Sequence, residues 1–236
     1  PKYSIVAPVF NEAESLPEFH RRMRAVIGAL DGEAELLLVD DGSCDGSLPI
    51  MRQLQTTDTS VRVISFSRNF GHQVAITAGM DHAQGAAVVV IDADLQDPPE
   101  VIPSLVAEWQ RGAELVLTVR AFRKGETWFK RSTAALFYRL IDRLTDLHIP
   151  KDSGDFKLMD RKVVDALRQV REHHRFMRGL SAWVGFKRVE VEYVREERFA
   201  GRSKYPLSSM LRFATDGITS FSHVPLQLAM TLGFIF

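Results

Sequence analysis

Two carboxylates spaced two residues apart follow a short apolar run. Asp92 and Asp94 come directly after residues 86–91. Hard divalent cations prefer oxygen ligands, and Mg²⁺ is usually held by one or two carboxylates together with substrate phosphates. The pair therefore predicts a Mg²⁺ or Mn²⁺ site, to which the side chain of Gln96 offers a further carbonyl oxygen. A purely structural alternative is an acidic turn in which Asp97 caps the helix that follows.

A second acidic pair, Asp40 and Asp41, follows the apolar run at residues 36–39. Carboxylates there can accept hydrogen bonds from a nucleobase imino group or from ribose hydroxyls. The same pair could instead join a metal site, as in phospho-acceptor response regulators, which also combine a parallel sheet with an acidic cluster. Such regulators are much shorter and have no use for a second acidic pair, so the sequence favours a nucleotide pocket.

Phosphate groups of a ligand would have to be bound by cations. No Gly-x-Gly-x-x-Gly follows the first apolar run and no Gly-Lys-Ser/Thr loop occurs, which disfavours dinucleotide oxidoreductases and P-loop enzymes. Arginine is suited to bidentate phosphate contacts. The basic candidates are Arg68, Arg120, Arg123, Lys124, Lys130 and Arg131.

The zero net charge of the 236-residue chain conceals a division. Residues 1–119 contain 8 Lys and Arg against 17 Asp and Glu, whereas residues 120–236 contain 22 against 13. The neutral total argues against a nucleic-acid partner. The division indicates an acidic half and a basic half with an anionic partner, unless the surface charge is uneven by chance. The single cysteine, Cys44, excludes an intramolecular disulfide and fits a reducing compartment.

The elements that must position these residues alternate along the first half. This alternation predicts an α/β fold with a mostly parallel sheet, in which ligands bind beyond the carboxyl ends of the strands. Both acidic pairs stand at such ends. The predicted strands are residues 3–8, 36–39, 61–66, 86–91 and 115–119, and the predicted helices are residues 14–30, 48–54, 73–83 and 101–110.

The second half is predicted to be less regular. It is expected to contain helices at residues 128–144, 161–170 and 176–184, a Ser-Gly-Asp turn leading into a short strand within 151–160, a strand at 187–193 and a charged loop at 195–204. Residues 206–221 form an amphipathic pattern that suits a membrane interface better than core packing. The apolar run 224–236 is shorter than the roughly 20 residues that span a bilayer. Its abrupt end predicts a fragment cut at the start of a transmembrane helix.

Four segments in combination resemble the family 2 glycosyltransferases of GT-A fold, in particular the polyprenyl-phosphate subgroup of dolichyl-phosphate mannose synthases and bactoprenol glucosyltransferases. They are PVFNE at residues 8–12, VDDGS at 39–43, SRNFG at 67–71 and DADLQDPP at 92–99. The resemblance continues through SGDF at 153–156, RFMRG at 175–179 and GRSKY at 201–205. It covers nearly the whole chain.

The resemblance implies a role for each matching residue. Asp92, Asp94 and Gln96 would hold Mg²⁺ or Mn²⁺ on the donor diphosphate, and Asp94, Asp155 and Arg131 would act directly in the transfer. Phe10 stands where many relatives have Tyr, so a hydroxyl contact is missing there. The nucleotide pocket would be lined by Pro8, Phe10, Asn11, Glu12, Asp40 and Asp41, with Ala93 touching the nucleotide and Arg68 binding a phosphate of the ligand. The donor and acceptor phosphates would be bound by Arg120, Arg131, Arg202 and Lys204.

The activity implied by the resemblance is inverting transfer of a hexose, first of all glucose from UDP-glucose, to a polyprenyl phosphate. Alternatives are a GDP-mannose-dependent dolichyl- or polyprenyl-phosphate mannosyltransferase, a soluble GT-A transferase with a non-lipid acceptor, and a non-catalytic binding module. A phosphate monoester has a second pKa of about 6, so the acceptor needs no strong base. Asp155 is therefore expected to orient the sugar or acceptor, with base catalysis as the minority alternative.

The implied layout is a GT-A catalytic domain at residues 1–205, an interface helix at 206–223 and the start of a transmembrane helix at 224–236. Within the domain, residues 1–119 would bind nucleotide and metal, and residues 120–205 would bind the acceptor. The protein would be membrane-associated, with this domain on the cytoplasmic face. Its partners would be the nucleotide sugar, the polyprenyl phosphate and the membrane, and a homo-oligomeric state stays open.

Overall fold

Seven described strands form one sheet in the order β3-β2-β1-β4-β6-β5-β7. The computed structural model describes residues 1–121, 153–172, 177–196, 230–231 and 233–234. Among the described strands only β6 runs antiparallel to its neighbours, which are β4 and β5. The strands are β1 (Tyr3–Val9), β2 (Ala34–Asp40), β3 (Val61–Ser65), β4 (Ala87–Val90), β5 (Leu115–Arg120), β6 (Ser153–Asp160) and β7 (Arg188–Tyr193).

Helices cover both faces of this sheet. Phe19 of α1 and Leu105 of α4 pack in the apolar core on one face, and Ile76 of α3 and Val163 of α5 pack in the core on the other. Because both faces are covered, a central strand such as β1 is buried along its whole length. The described helices are α1 (Leu16–Ala29), α2 (Ser47–Thr57), α3 (His72–His82), α4 (Ile102–Gln110), α5 (Arg161–Gln169) and α6 (Met177–Trp183), with a 3₁₀ turn at Pro99–Val101.

The predicted α/β class and mostly parallel sheet are confirmed. All five strands and all four helices predicted in the first half are present, with bounds that differ by no more than three residues from those observed. Three predicted elements of the second half, at residues 161–170, 176–184 and 187–193, correspond to α5, α6 and β7.

The prediction of a turn at Ser153, Gly154 and Asp155 was wrong, because these residues already belong to β6. Ser153 pairs with Val119 of β5, across a register shift between Leu117 and Val119. The pairing partner lies more than 30 residues away in sequence, which local turn signals cannot reveal. Since β6 is antiparallel to its neighbours, its first residues lie at the edge where the parallel strands end.

Several sequence predictions concern residues outside the described ranges. These are the helix at 128–144, the charged loop beyond residue 196, the amphipathic segment at 206–221 and most of the apolar run at 224–236. Within the part of the chain that the structure describes, no helix has the length and apolar character needed to cross a bilayer.

Candidate functional site

The carboxyl edge of the sheet brings the two acidic pairs and Asp155 into one region. Asp40 ends β2, Asp92 follows β4 closely, and Asp155 stands near the start of the antiparallel strand β6. The loops after β1 and β3 begin at the same edge. The topology thus assembles polar side chains that are far apart in sequence.

The loop after β4 holds its shape through its own polar groups. Leu95 adopts a left-handed backbone conformation with φ of 61°, which is uncommon for leucine. The Oδ1 atom of Asp94 accepts the backbone N–H of Gln96 at 3.1 Å. The structural alternative required Asp97 to cap the following helix, but its side chain does not do so. Instead its buried carboxylate accepts the hydroxyl of Tyr193 and lies 3.5 Å from Nε of Arg195.

The donor set of this loop fits a divalent cation that is completed by ligand oxygens. The Oδ1 atom of Asp92 is buried and has no hydrogen-bond partner in the described part of the protein. No group of three or more His, Cys, Asp or Glu suited to a metal occurs within the described residues. Two carboxylates and an amide can share a cation with phosphates and water, which is the usual way in which proteins bind Mg²⁺.

Asp155 is surrounded by donors from two helices. Arg178 of α6 donates from Nε and from Nη2, each at 3.1 Å, to the two carboxylate oxygens. From α3, Gln73 donates its side-chain amide at 3.3 Å, and Nε2 of His72 lies at 3.4 Å. The same His72 nitrogen lies 3.6 Å from Oδ1 of Asp92. His72 therefore stands between the acidic loop after β4 and the carboxylate of β6.

The two carboxylates on either side of His72 have opposite pKa shifts. Burial raises the pKa of Asp92 to about 6, against the effect of His72 and with the help of the neighbouring carboxylates. For Asp155 burial acts in the same direction, but Arg178, His72 and Lys157 outweigh it and hold the pKa well below its usual range. Burial opposes protonation of His72, yet Asp92 and Asp155 together raise its pKa to about 9. At neutral pH Asp155 is a carboxylate that accepts a proton poorly.

The loops after β1, β2 and β3 are joined by hydrogen bonds from the predicted nucleotide-pocket residues. Asn11, with a left-handed φ of 54°, accepts the N–H of Cys44 on its side-chain oxygen at 2.7 Å. Asp41 accepts the backbone N–H groups of Phe70 and Gly71 at 2.7 and 3.0 Å. Burial raises the pKa of Asp41 in spite of these donors.

Asp40 in turn accepts the N–H of Ser43 and the hydroxyl of Ser65, both at 3.1 Å. These bonds fix the three loops against one another.

The remaining predicted residues differ in their surroundings. The side chains of Pro8 and Ala93 are buried, whereas Phe10 is half-buried. Glu12 donates its backbone N–H to the Ser47 hydroxyl at 2.8 Å. The guanidinium of Arg68 lies 3.9 Å from the ring centre of Phe70, and Nε of Arg120 lies 3.5 Å from the Tyr193 hydroxyl. Six predicted residues lie outside the described ranges, namely Arg123, Lys124, Lys130, Arg131, Arg202 and Lys204.

Sequence reasoning missed His72, Gln73 and Arg178 as members of this site. No histidine of the sequence has metal-ligand spacing to Cys44, and Gln73 is only the first residue of the helix predicted at residues 73–83. Their positions in the sequence could have revealed them, because His72 and Gln73 directly follow the SRNFG segment and are the first residues of α3. Arg178 lies in the RFMRG segment, but its contact with Asp155 spans 23 residues and depends on how α6 packs on β6.

Comparison with known proteins identifies the family. Residues 4–168 match Glycosyl transferase family 2. The chain is 55% identical over 234 residues to the uncharacterized glycosyltransferase YkcC of Bacillus subtilis, covering 99% of this chain and 72% of that protein. It is 43% identical to the prophage bactoprenol glucosyl transferase homolog of Escherichia coli, covering 99% and 76%. It is 44% identical to the bactoprenol glucosyl transferase of Shigella phage SfV, covering 98% and 76%.

Solved structures share the fold at low sequence identity. A mannosyltransferase from Pyrobaculum calidifontis in complex with GDP-Man and Mn²⁺ aligns with a TM-score of 0.61 at 18% identity, covering 86% of this chain and 58% of that one. Glucosyl-3-phosphoglycerate synthase from Mycobacterium tuberculosis, in complex with Mn²⁺, UDP-Glc and phosphoglyceric acid, aligns at 0.58 and 20%, covering 91% and 76%. The motifs, the sheet and the relatives agree, and the chain belongs to glycosyl transferase family 2.

Proposed function

We propose that this protein transfers a hexose from a nucleotide diphosphate sugar to a polyprenyl phosphate, with inversion at the anomeric carbon. The observation that carries the proposal is the position of His72, which lies within 3.6 Å of both Asp92 and Asp155. A donor held at the acidic loop would therefore have its sugar close to the carboxylate of β6. Two relatives, the prophage bactoprenol glucosyl transferase homolog of Escherichia coli and the bactoprenol glucosyl transferase of Shigella phage SfV, support the lipid acceptor and glucose as the sugar.

The donor diphosphate would be bound through Asp92, Asp94 and Gln96, which would hold Mg²⁺ or Mn²⁺. When bound, the cation supplies positive charge that offsets the negative charge of the departing diphosphate. The buried Oδ1 atom of Asp92, which accepts no hydrogen bond from the described residues, supports this assignment. Asp40, Asp41 and Asn11 would shape the nucleotide pocket from the neighbouring loops. We propose UDP-glucose as the donor and GDP-mannose as the alternative.

Asp155 would orient the sugar or the acceptor phosphate. Its low pKa makes it a poor proton acceptor. A phosphate monoester is largely a dianion at neutral pH, because its second pKa is about 6. The acceptor oxygen can thus attack without first losing a proton to the protein. Arg120, Arg131, Arg202 and Lys204 would bind the donor and acceptor phosphates.

The proposal extends to the whole protein and its location. Residues 1–205 would form the catalytic domain on the cytoplasmic face of a membrane, residues 206–223 an interface helix, and residues 224–236 the start of a transmembrane helix. The excess of Lys and Arg in residues 120–236 would favour the lipid phosphate and anionic lipid headgroups.

The test is transfer of radiolabelled glucose from UDP-glucose to a short polyprenyl phosphate by the full-length protein, with Mg²⁺ or Mn²⁺. Asp94→Asn keeps the oxygen that accepts the Gln96 N–H but removes the charge. We expect it to lose activity by on the order of 100-fold or more, because several kcal/mol of charge stabilisation depend on the cation. Asp165→Asn, a change at an exposed carboxylate on α5, is the matched control and should retain full activity.

Two results would contradict the proposal. Full activity in Asp94→Asn would remove the metal assignment. Complete activity with a water-soluble acceptor, and none with polyprenyl phosphate, would favour a GT-A transferase with a non-lipid acceptor.

A further inference from the structure

A buried lysine stands behind Asp155. Lys157 of β6 is 2% exposed, and its Nζ atom donates to the hydroxyl of Ser181 on α6 at 3.2 Å. Ser181 is equally buried. Its Oγ atom in turn donates to the backbone carbonyl of Arg178 at 3.1 Å. Lys157 is thus linked by two hydrogen bonds to the residue whose guanidinium holds Asp155.

The link closes a small ring of contacts between β6 and α6. Arg178 and Ser181 are one helical turn apart, so they face the same strand. Arg178 binds both carboxylate oxygens of Asp155, and Ser181 binds Lys157 two residues further along β6. This turn of α6 is therefore held to β6 at two points, the Arg178–Asp155 pair and the hydrogen bond between Lys157 and Ser181.

Packing does not explain a lysine at this place. Lys157 pairs in the sheet with Val90 of β4 and Leu117 of β5, and both belong to an apolar core cluster. Burial of an ammonium group is costly, and an unbranched apolar side chain such as Met would fill a similar volume. The charged groups that face Lys157 are Asp155 on its own strand and Arg178 on α6. Asp155 is faced in addition by His72 of α3.

The charge of Lys157 acts on Asp155. Burial lowers the pKa of Lys157 to about 8, with Arg178 adding to this effect and Asp155 opposing it. In return Lys157 contributes to the low pKa of Asp155, after Arg178 and His72. At neutral pH most of the lysine is therefore still an ammonium ion that favours the ionised carboxylate.

We propose that Lys157 is a positioning residue for sugar transfer, which fixes through Ser181 the turn of α6 that carries Arg178 and so keeps the Arg178–Asp155 pair aligned with the site. The inference rests on the proposed function, because it assumes that Asp155 orients sugar or acceptor. It goes further by assigning a task to a side chain that would touch neither substrate.

The kinetic test uses Lys157→Met and Ser181→Ala in the full-length protein, with Lys187→Met as the matched control at an exposed lysine. We expect both site variants to keep the thermal unfolding midpoint within a few degrees of the unsubstituted protein. We also expect them to lose kcat by on the order of 10- to 100-fold, with little change in the KM for the donor, as misplaced groups do. Lys157→Arg, which keeps the charge, should recover part of the loss. A merely structural lysine would alter the unfolding midpoint without this split.

The spectroscopic test does not depend on any substrate. In protein labelled with ¹⁵N-arginine, the Nε–H resonance of Arg178 is assigned by its absence in Arg178→Lys. We expect this resonance to shift and exchange faster with solvent in Lys157→Met and in Ser181→Ala, and to stay unchanged in Lys187→Met. If Lys157→Met fails to fold, the result for Ser181→Ala alone tests the proposed role of Lys157.

The outcomes separate the two proposals. An unchanged kcat and an unchanged Arg178 resonance in a folded site variant would overturn the role of Lys157. If the Arg178 resonance is altered in the site variants but the unsubstituted protein transfers no sugar to polyprenyl phosphate, the result would support the positioning link and contradict the proposed function. Loss of kcat together with the altered resonance would support both.

Discussion

At the scale of single residues, the site separates two carboxylates by their surroundings. Asp92 has a buried oxygen without a hydrogen-bond partner among the described residues, and burial raises its pKa to about 6. Asp155 has donors from Arg178, Gln73 and His72, and its pKa is well below the usual range. The first arrangement leaves oxygen lone pairs for an added cation. The second arrangement satisfies the Asp155 carboxylate with protein donors and needs no cation, which suits a group that is held in place to accept hydrogen bonds.

This difference predicts how Asp155→Asn changes the pH dependence of transfer. The pKa of Asp155 is depressed, so the group stays deprotonated throughout the range from about pH 5 to 8. We expect the variant to lower kcat at every pH in this range, because the unsubstituted protein holds the Asp155 charge throughout. The measurement is kcat against pH for the unsubstituted protein and the variant. If the kcat of the unsubstituted protein fell on protonation of a group near neutral pH and the variant lost that step, Asp155 would instead be identified as a general base.

At the scale of elements, helix α3 sets the position of His72 and Gln73. It lies very close to the sheet at Gly79, where a Cβ atom would come within 2.1 Å of Val6 Cγ1 and 3.2 Å of Val39 Cγ2. Only a residue without a side chain allows this approach. A side chain at position 79 would push α3 away from β1, and the side chains at the first turn of the helix would move with it.

The close approach predicts opposite results for the same substitution in two helices. Gly79→Ala should lower the free energy of unfolding by about 1–3 kcal/mol through overpacking. Gly28→Ala in α1, where no atom lies within 4 Å of the added Cβ, should be neutral or stabilising by up to about 1 kcal/mol. Urea unfolding followed by circular dichroism measures both. Equal stability of the two variants would show that α3 can shift without cost.

The elements also show what a sequence can and cannot predict. Apolar runs predicted the first five strands. Central strands such as β1 are buried along their whole length, and the edge strand β3, although mostly half-buried, is still an apolar run. The acidic loop after β4 could be located in the same way. The strand state of Ser153 could not, since it depends on pairing with Val119 of β5. The contact of Arg178 with Asp155 likewise depends on tertiary packing. Local patterns could therefore identify the RFMRG segment but not the residue that Arg178 contacts.

At the scale of the whole molecule, the division of charge corresponds to a division of tasks in the proposed function. The acidic residues of the first 119 positions include Asp40, Asp41, Asp92 and Asp94, which lie at the carboxyl edge of the sheet. A bound cation would offset part of their charge. Some basic residues of positions 120–236 have internal partners, since Arg178 and Arg195 pair with Asp155 and Asp97. In the proposal, the excess of Lys and Arg in this half would face an anionic acceptor and lipid surface.

This division predicts that the full-length protein binds vesicles of phosphatidylglycerol and phosphatidylcholine more tightly than vesicles of phosphatidylcholine alone. Each Lys or Arg near an anionic surface contributes about 1 kcal/mol. The preference should weaken as salt rises, because the screening length falls from about 30 Å at 0.01 M to about 8 Å at 0.15 M. Co-sedimentation at both salt concentrations, with the neutral vesicles as control, measures the effect. Equal binding to both vesicles, unchanged by salt, would mean that the 22 Lys and Arg of residues 120–236 do not serve membrane attraction.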